Sequence, residues 1–148
     1  MNTEIKEAIK GFHDSVEKLK LLRIVRSDKY LGDIAEYISS YFYQIELAES
    51  GRQPGHDGSD NEGRVPIKYH GSPTRTNIDL GKPDEYENLL VVLGPNSMLR
   101  NPDYSGDFLL YRISASDVKA HCNVASGTYS CGKEPFSREP DRVLDLNA

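Results

Sequence analysis

Apolar residues recur at helical spacing from the first turns of the chain: Ile5, Ile9, Phe12, Val16 and Leu19 share a stripe, and lysines and glutamates fill the other face. The pattern predicts a helix over 3–23. Ser27-Asp28 then offers an N-cap. A second stripe follows, through Leu31, Ile34, Ala35, Ile38, Phe42 and Ile45, with Glu36 beside it. Glycines and Pro54 punctuate 50–63, where Gly55 to Ser59 reads as a short strand and Asp60-Asn61-Glu62-Gly63 as a turn. From Arg64 to His70 the period changes to two, with Val65, Ile67 and Tyr69 on one face and Arg64, Pro66, Lys68 and His70 on the other.

The segment 71–85 is polar and turn-rich and reads as a loop. Leu89 to Leu93 is a continuous apolar run bounded by Gly94-Pro95, the signature of a strand buried on both faces. Phe108 to Ile113 is the next strand, and Ser114-Ala115-Ser116-Asp117 is a helix start running to His121. Beyond Asn123 the pattern weakens into an irregular tail, in which Val143, Leu144 and Leu146 are placed to dock back or to form a short terminal element. Strands outnumber crossover helices. The expected fold class is therefore α/β (α+β), a mixed sheet of about four strands flanked by helices. A chain of 148 residues fits one domain, organised as the N-terminal helix 3–23, a core over 28–121 and the tail 123–148.

Composition narrows the function classes. A net charge of −5 argues against protein-wide attraction to nucleic acid, while leaving room for a local basic groove. No apolar run approaches the roughly 20 residues that cross a bilayer, and no signal-peptide core follows Met1, so the expected setting is the cytoplasm without membrane association. There the two cysteines, Cys122 and Cys131, are expected to stay reduced, and they lack the further ligands of a zinc site. No P-loop, dinucleotide-binding glycine pattern, Gly-x-Ser-x-Gly elbow or His-Glu-x-x-His is present.

The hairpin around residue 60 carries the candidate chemistry. With Glu62-Gly63 as a two-residue loop, Asp57 lies opposite Lys68; with a four-residue loop it lies opposite Pro66. Either register puts Asp57 on the Lys68 face, whereas a three-residue loop sets it against Ile67. A carboxylate beside a lysine reads plainly as a surface ion pair. It also suits phosphodiester hydrolysis, in which carboxylate oxygens hold a hard cation and a lysine steadies developing charge.

The order of pieces is more telling. Leu31-Gly32-Asp33-Ile34-Ala35-Glu36, then Gly55-His56-Asp57, Gly63, Val65-Pro66-Ile67-Lys68 and the apolar strand Leu89 to Leu93 resemble the layout of PD-(D/E)XK, restriction-endonuclease-like nucleases, in particular small bacterial members. The resemblance spans roughly Ile24 to Val118. It implies a Mg²⁺- or Mn²⁺-dependent endonuclease acting on DNA, with Asp57 as main metal ligand, Glu36 and the Ile67 carbonyl assisting, and Lys68 as catalytic lysine. Arg64, His70 and Arg75 would contact the nucleic acid, and cutting both strands would need a homodimer or a partner subunit. One departure stands out: the family carries Glu, Asp or Gln two residues before the lysine, and here that residue is Pro66, which also suggests a sheet edge or bulge. The same layout without activity would be a module binding nucleic acid or protein.

Overall fold

The computed structural model describes residues 1–22, 31–47 and 58–148. Its elements in chain order are α1 (Thr3–Leu21), α2 (Leu31–Tyr43), β1 (Glu46–Leu47), β2 (Gly58–Asp60), β3 (Gly63–Val65), β4 (Ile67–His70), β5 (Ile78–Gly81), β6 (Asn88–Leu93), β7 (Phe108–Ser114), α3 (Ala115–His121), β8 (Asn123–Ala125), β9 (Thr128–Cys131) and β10 (Arg142–Leu144). No helix among the described residues is long and apolar enough to cross a membrane.

A mixed α+β architecture results. Four strands form the main sheet in the order β10-β7-β6-β4. β4 runs parallel to β6, and the other two pairings are antiparallel. Both faces of its central strands are buried, as the run Leu89–Leu93 implies. Leu90 and Val92 of β6, with Phe108 and Leu110 of β7, meet Ile9 of α1 and Ala35 and Ile38 of α2. Leu89, Val91 and Leu93 face the other way, with Leu109, Tyr111, Val118 of α3 and Phe136. A second sheet, β5-β9-β8, contributes Ile78, Leu80 and Cys131 to that layer.

Local chemistry explains where the helices begin. Asn2 caps α1, its side chain accepting from the Ile5 N–H at 2.9 Å, and Ser114 caps α3 by accepting from Asp117 N–H at 3.1 Å. α2 stops at Tyr43, short of Ile45, because Gln44 takes a left-handed conformation at φ +52°. Ile45 still reaches the core, as part of the extended chain entering β1. Gln44 is exposed, so its backbone conformation is the main determinant at this site. Gln44→Gly is expected to stabilise the chain by about 0.5–1 kcal/mol, read as a higher urea midpoint at unchanged m value.

Three expectations are corrected. The single strand over 64–70 is two, because Pro66 lacks an N–H and breaks the ladder: β3 pairs with β2, while β4 joins the main sheet. The loop over 71–85 contains β5, with Ile78 and Leu80 buried and a bulge at Asp79–Gly81. The tail is structured, holding β8, β9, a 3₁₀ turn at Glu134–Phe136 and β10, which pairs Leu144 with Phe108. Docking by Val143 and Leu144 thus takes the form of a fourth strand on the main sheet.

Candidate functional site

β4 is the centre of the candidate site. Hydrogen bonds tie it to β6 through the carbonyls of Pro66, which accepts from Leu90 N–H at 3.0 Å, and of His70, which accepts from Gly94 N–H at 2.9 Å. Carbonyls alternate along a strand, so the Ile67 carbonyl points away from β6, toward the outer side of β4. That is the direction a hard cation at this edge would need.

Side chains alternate as well. Ile67 belongs to the cluster that includes Ala35 and Ile38 of α2, so α2 packs on the Ile67 face. Lys68 therefore stands on the opposite face, under β5. Its Nζ is 4.0 Å from the point a Cβ on Gly81 would occupy. Gly81 has φ +69°, and its N–H donates to the Asp79 carboxylate at 2.8 Å. This bend, made by an Asp and a Gly, is what leaves the space beside the lysine. Both Lys68 and Glu36 are half-buried. They are not brought together over one face: β4 lies between them, with Glu36 on the α2 side and Lys68 on the β5 side.

The remaining predicted residues separate further. Asp57 lies outside the described residues. The β2–β3 register sets Gly58 opposite Val65 and Asp60 opposite Gly63, so the loop is Asn61-Glu62, one residue earlier than the expected Glu62-Gly63. Arg64 on β3 and Arg75 in the loop after β4 are exposed.

His70, expected to contact nucleic acid, is fully buried. Its Nε2 donates to the Arg75 carbonyl at 3.0 Å, and its Nδ1 pairs with Ser97 Oγ at 2.7 Å. Because a carbonyl can only accept, Nε2 carries a proton, and Nδ1 shares its hydrogen bond with the serine hydroxyl. His70 thus fastens the loops at 75 and 97 to β4. The alternation that groups it with Lys68 is correct; the surrounding loops cover one residue and leave the other half-open.

Among the described residues no group of three or more His, Cys, Asp or Glu side chains could hold a metal ion. β4 carries the Ile67 carbonyl and α2 the Glu36 carboxylate, and each of these two residues has a partner.

Two features were missed from sequence. One is an arginine–carboxylate network. Arg112 on β7 reaches Asp60 at 3.2 Å and Glu62 at 3.0 Å, holding the β2–β3 turn against the main sheet. Its backbone N–H donates to Asp141 at 2.6 Å, and Asp141 also takes two bonds from Arg138, at 3.1 and 3.0 Å. The hydrogen bond to Asp141 raises the Arg138 pKa. Arg112 and Arg138 line a cavity of about 560 Å³ together with His121, Cys122 and Glu134. No periodicity links positions so distant along the chain. The other feature is the β8–β9 pairing, which ends at Asn123 opposite Ser130 and so brings the neighbouring free cysteines Cys122 and Cys131 to the same end of the hairpin.

No protein-family model matches this chain, and no curated protein matches it.

Proposed function

We propose that the chain is a metal-dependent nuclease hydrolysing DNA phosphodiester bonds, with its site at the outer edge of β4. Asp57, Glu36 and the Ile67 carbonyl would hold Mg²⁺ or Mn²⁺. When bound, the cation would lower the pKa of a water and offset charge on the scissile phosphate. Lys68 would steady the charge that develops on the phosphate oxygens.

One observation carries the reading. The Ile67 carbonyl turns outward at the end of the described main sheet, with the helix bearing Glu36 packed on one side of β4 and the Lys68 ammonium on the other. Groups on opposite faces of a terminal strand can converge only around its edge, which is where that carbonyl points. Exposed Arg64 and Arg75 would position the phosphate backbone. Cutting a duplex would need two such sites, hence a second copy or a partner subunit.

Pro66 favours a second reading, a catalytically inactive module that binds nucleic acid or protein. Pro66 is buried, its carbonyl is committed to Leu90, and it offers no side-chain oxygen where the nucleases carry one.

The two readings separate on supercoiled plasmid and single-stranded DNA incubated with Mg²⁺, Mn²⁺ or EDTA. The nuclease reading expects cleavage with metal, none in EDTA and none from Asp57→Asn. It also expects Mn²⁺ to raise the thermal midpoint of the wild type but not of Asp57→Asn, since binding to the folded state alone stabilises it. No cleavage and no metal-induced shift would leave the binding module.

A further inference from the structure

The β8–β9 hairpin turns through Ser126 and Gly127, at φ +53° and +79°, both left-handed as a two-residue type I′ loop requires. Its pairs are Ala125 with Thr128, Val124 with Tyr129 and Asn123 with Ser130. The pair flanking such a loop exchanges hydrogen bonds, and the two kinds of pair alternate along an antiparallel ladder. Continuing the same register one step sets Cys122 opposite Cys131, at a non-hydrogen-bonded position. Consistent with this, the Cys122 N–H donates to Val118 of α3 at 3.0 Å and not across to β9.

Non-hydrogen-bonded pairs bring Cα atoms to about 4.5 Å, inside the window of about 4.4–6.8 Å that a disulfide spans. Both cysteines are free thiols, each one residue beyond the pair Asn123 with Ser130. Cys131 is buried at 4% exposure, whereas Cys122 is half-buried and lines the cavity of about 560 Å³.

We propose that Cys122 and Cys131 are a cross-strand dithiol that a hydroperoxide entering by this cavity oxidises to an intrachain disulfide. In the first step the Cys122 thiolate attacks the peroxide: an S–O bond forms, the O–O bond breaks, and the leaving hydroxide takes a proton to become water. In the second, the Cys131 sulfur attacks the Cys122 sulfenic acid: the S–S bond forms, the S–O bond breaks, and hydroxide leaves as water with the Cys131 proton. Two thiols lose two electrons in total, and hydrogen peroxide is reduced to two waters. Burial raises both thiols, Cys131 to about 12, so thiolate is scarce at neutral pH and the pair answers to sustained oxidant. The product would lock the end of α3 to β9, and β9 is the strand that pairs with β5. None of this depends on the reading of Lys68.

The full chain, reduced and freed of reductant, would be treated with hydrogen peroxide, alkylated with iodoacetamide and digested with trypsin. Both cysteines fall in the peptide 120–133, since no Lys or Arg lies between them. The expected product is that peptide, unalkylated and two hydrogens lighter, reverting with dithiothreitol, and absent from Cys122→Ser. Its formation rate should climb about tenfold per pH unit from 7 to 8, following the thiolate fraction. In a glutathione buffer the folded chain should hold about a tenfold higher ratio of disulfide to dithiol than the chain unfolded in guanidinium, because the fold pre-sets the geometry. Two fully alkylated cysteines, chain-to-chain disulfides, or equal ratios folded and unfolded would each overturn the proposal. Cys131→Ser, which alters a buried position, is not needed for any of these readings.

Discussion

Phe136→Ala is expected to destabilise the chain by about 3–5 kcal/mol, measured by urea unfolding. Phe136 is fully buried although it sits in a 3₁₀ turn between two prolines of the tail. Its ring meets Tyr111 edge to face, with centroids 5.1 Å apart, and its carbonyl accepts the Tyr111 hydroxyl at 3.3 Å. Tyr111 lies fully buried on β7, a central strand of the main sheet, and both rings belong to the cluster that includes Leu109 and Val118. Truncating the phenylalanine opens a cavity beneath that sheet and removes the aromatic contact, worth about 0.5–1.5 kcal/mol on its own. Domains of this size are stable by only about 5–15 kcal/mol, so the variant should lose a large share of the total. Val124→Ala, at a position 57% exposed on β8, serves as the contrast and should stay within about 0.5 kcal/mol of the wild type. Similar midpoints for the two variants would mean that the tail is not part of the core.

Phe136 also marks where sequence reading ends. The elements legible from the chain are those whose own residues repeat a period or spell a cap: the α1 stripe, the run Leu89–Leu93, and Ser114 with Asp117. The tail has neither. A lone phenylalanine between Pro135 and Ser137 carries no period, and β8, β9 and β10 are three or four residues long. Strands that short are specified by their partners. β10 is held by β7 and β9 by β5, both distant in sequence, so the stabilising contacts are long-range and invisible in any local window. The Ser126-Gly127 turn was a usable signal, and once it is recognised the pairing of Cys122 with Cys131 follows by counting outward from it.

The candidate site was legible by face and not by depth. Alternation correctly grouped Lys68 with His70 and opposed them to Ile67 and Tyr69. It could not show that β5 and the loops around residues 75 and 97 form a second layer over the Lys68 face, which buries His70 and leaves Lys68 half-open. Nor could it show that α2 lands on the Ile67 face. Helix-to-sheet packing is settled by which apolar stripe fits which face, and both faces of this sheet are apolar at its centre. Glu36 and Lys68 therefore look like neighbours in a linear motif while a strand separates them in space.

That separation gives Lys68→Ala its interest. If the site works around the edge of β4, the substitution should lower metal-dependent cleavage by about 10²–10³-fold, the loss typical when one charge-stabilising group is removed from a phosphoryl or acyl transition state. Stability should change little, within about 0.5–1 kcal/mol, because the amine makes no ion pair within 4.0 Å among the described residues and the side chain is half-exposed. On that reading the Mn²⁺-induced rise in thermal midpoint should persist, since Lys68 would steady phosphate charge without being a ligand itself. Lys68→Arg should recover only part of the rate. A planar guanidinium is wider than an ammonium and would have to fit beside Gly81, where the bend at φ +69° leaves room for the smaller group. Full activity in Lys68→Ala would remove the lysine from the chemistry and, with it, the reason to place the site at this edge. Lost activity together with a lost Mn²⁺ shift would mean that the substitution disturbs the proposed cation site and not the phosphate alone.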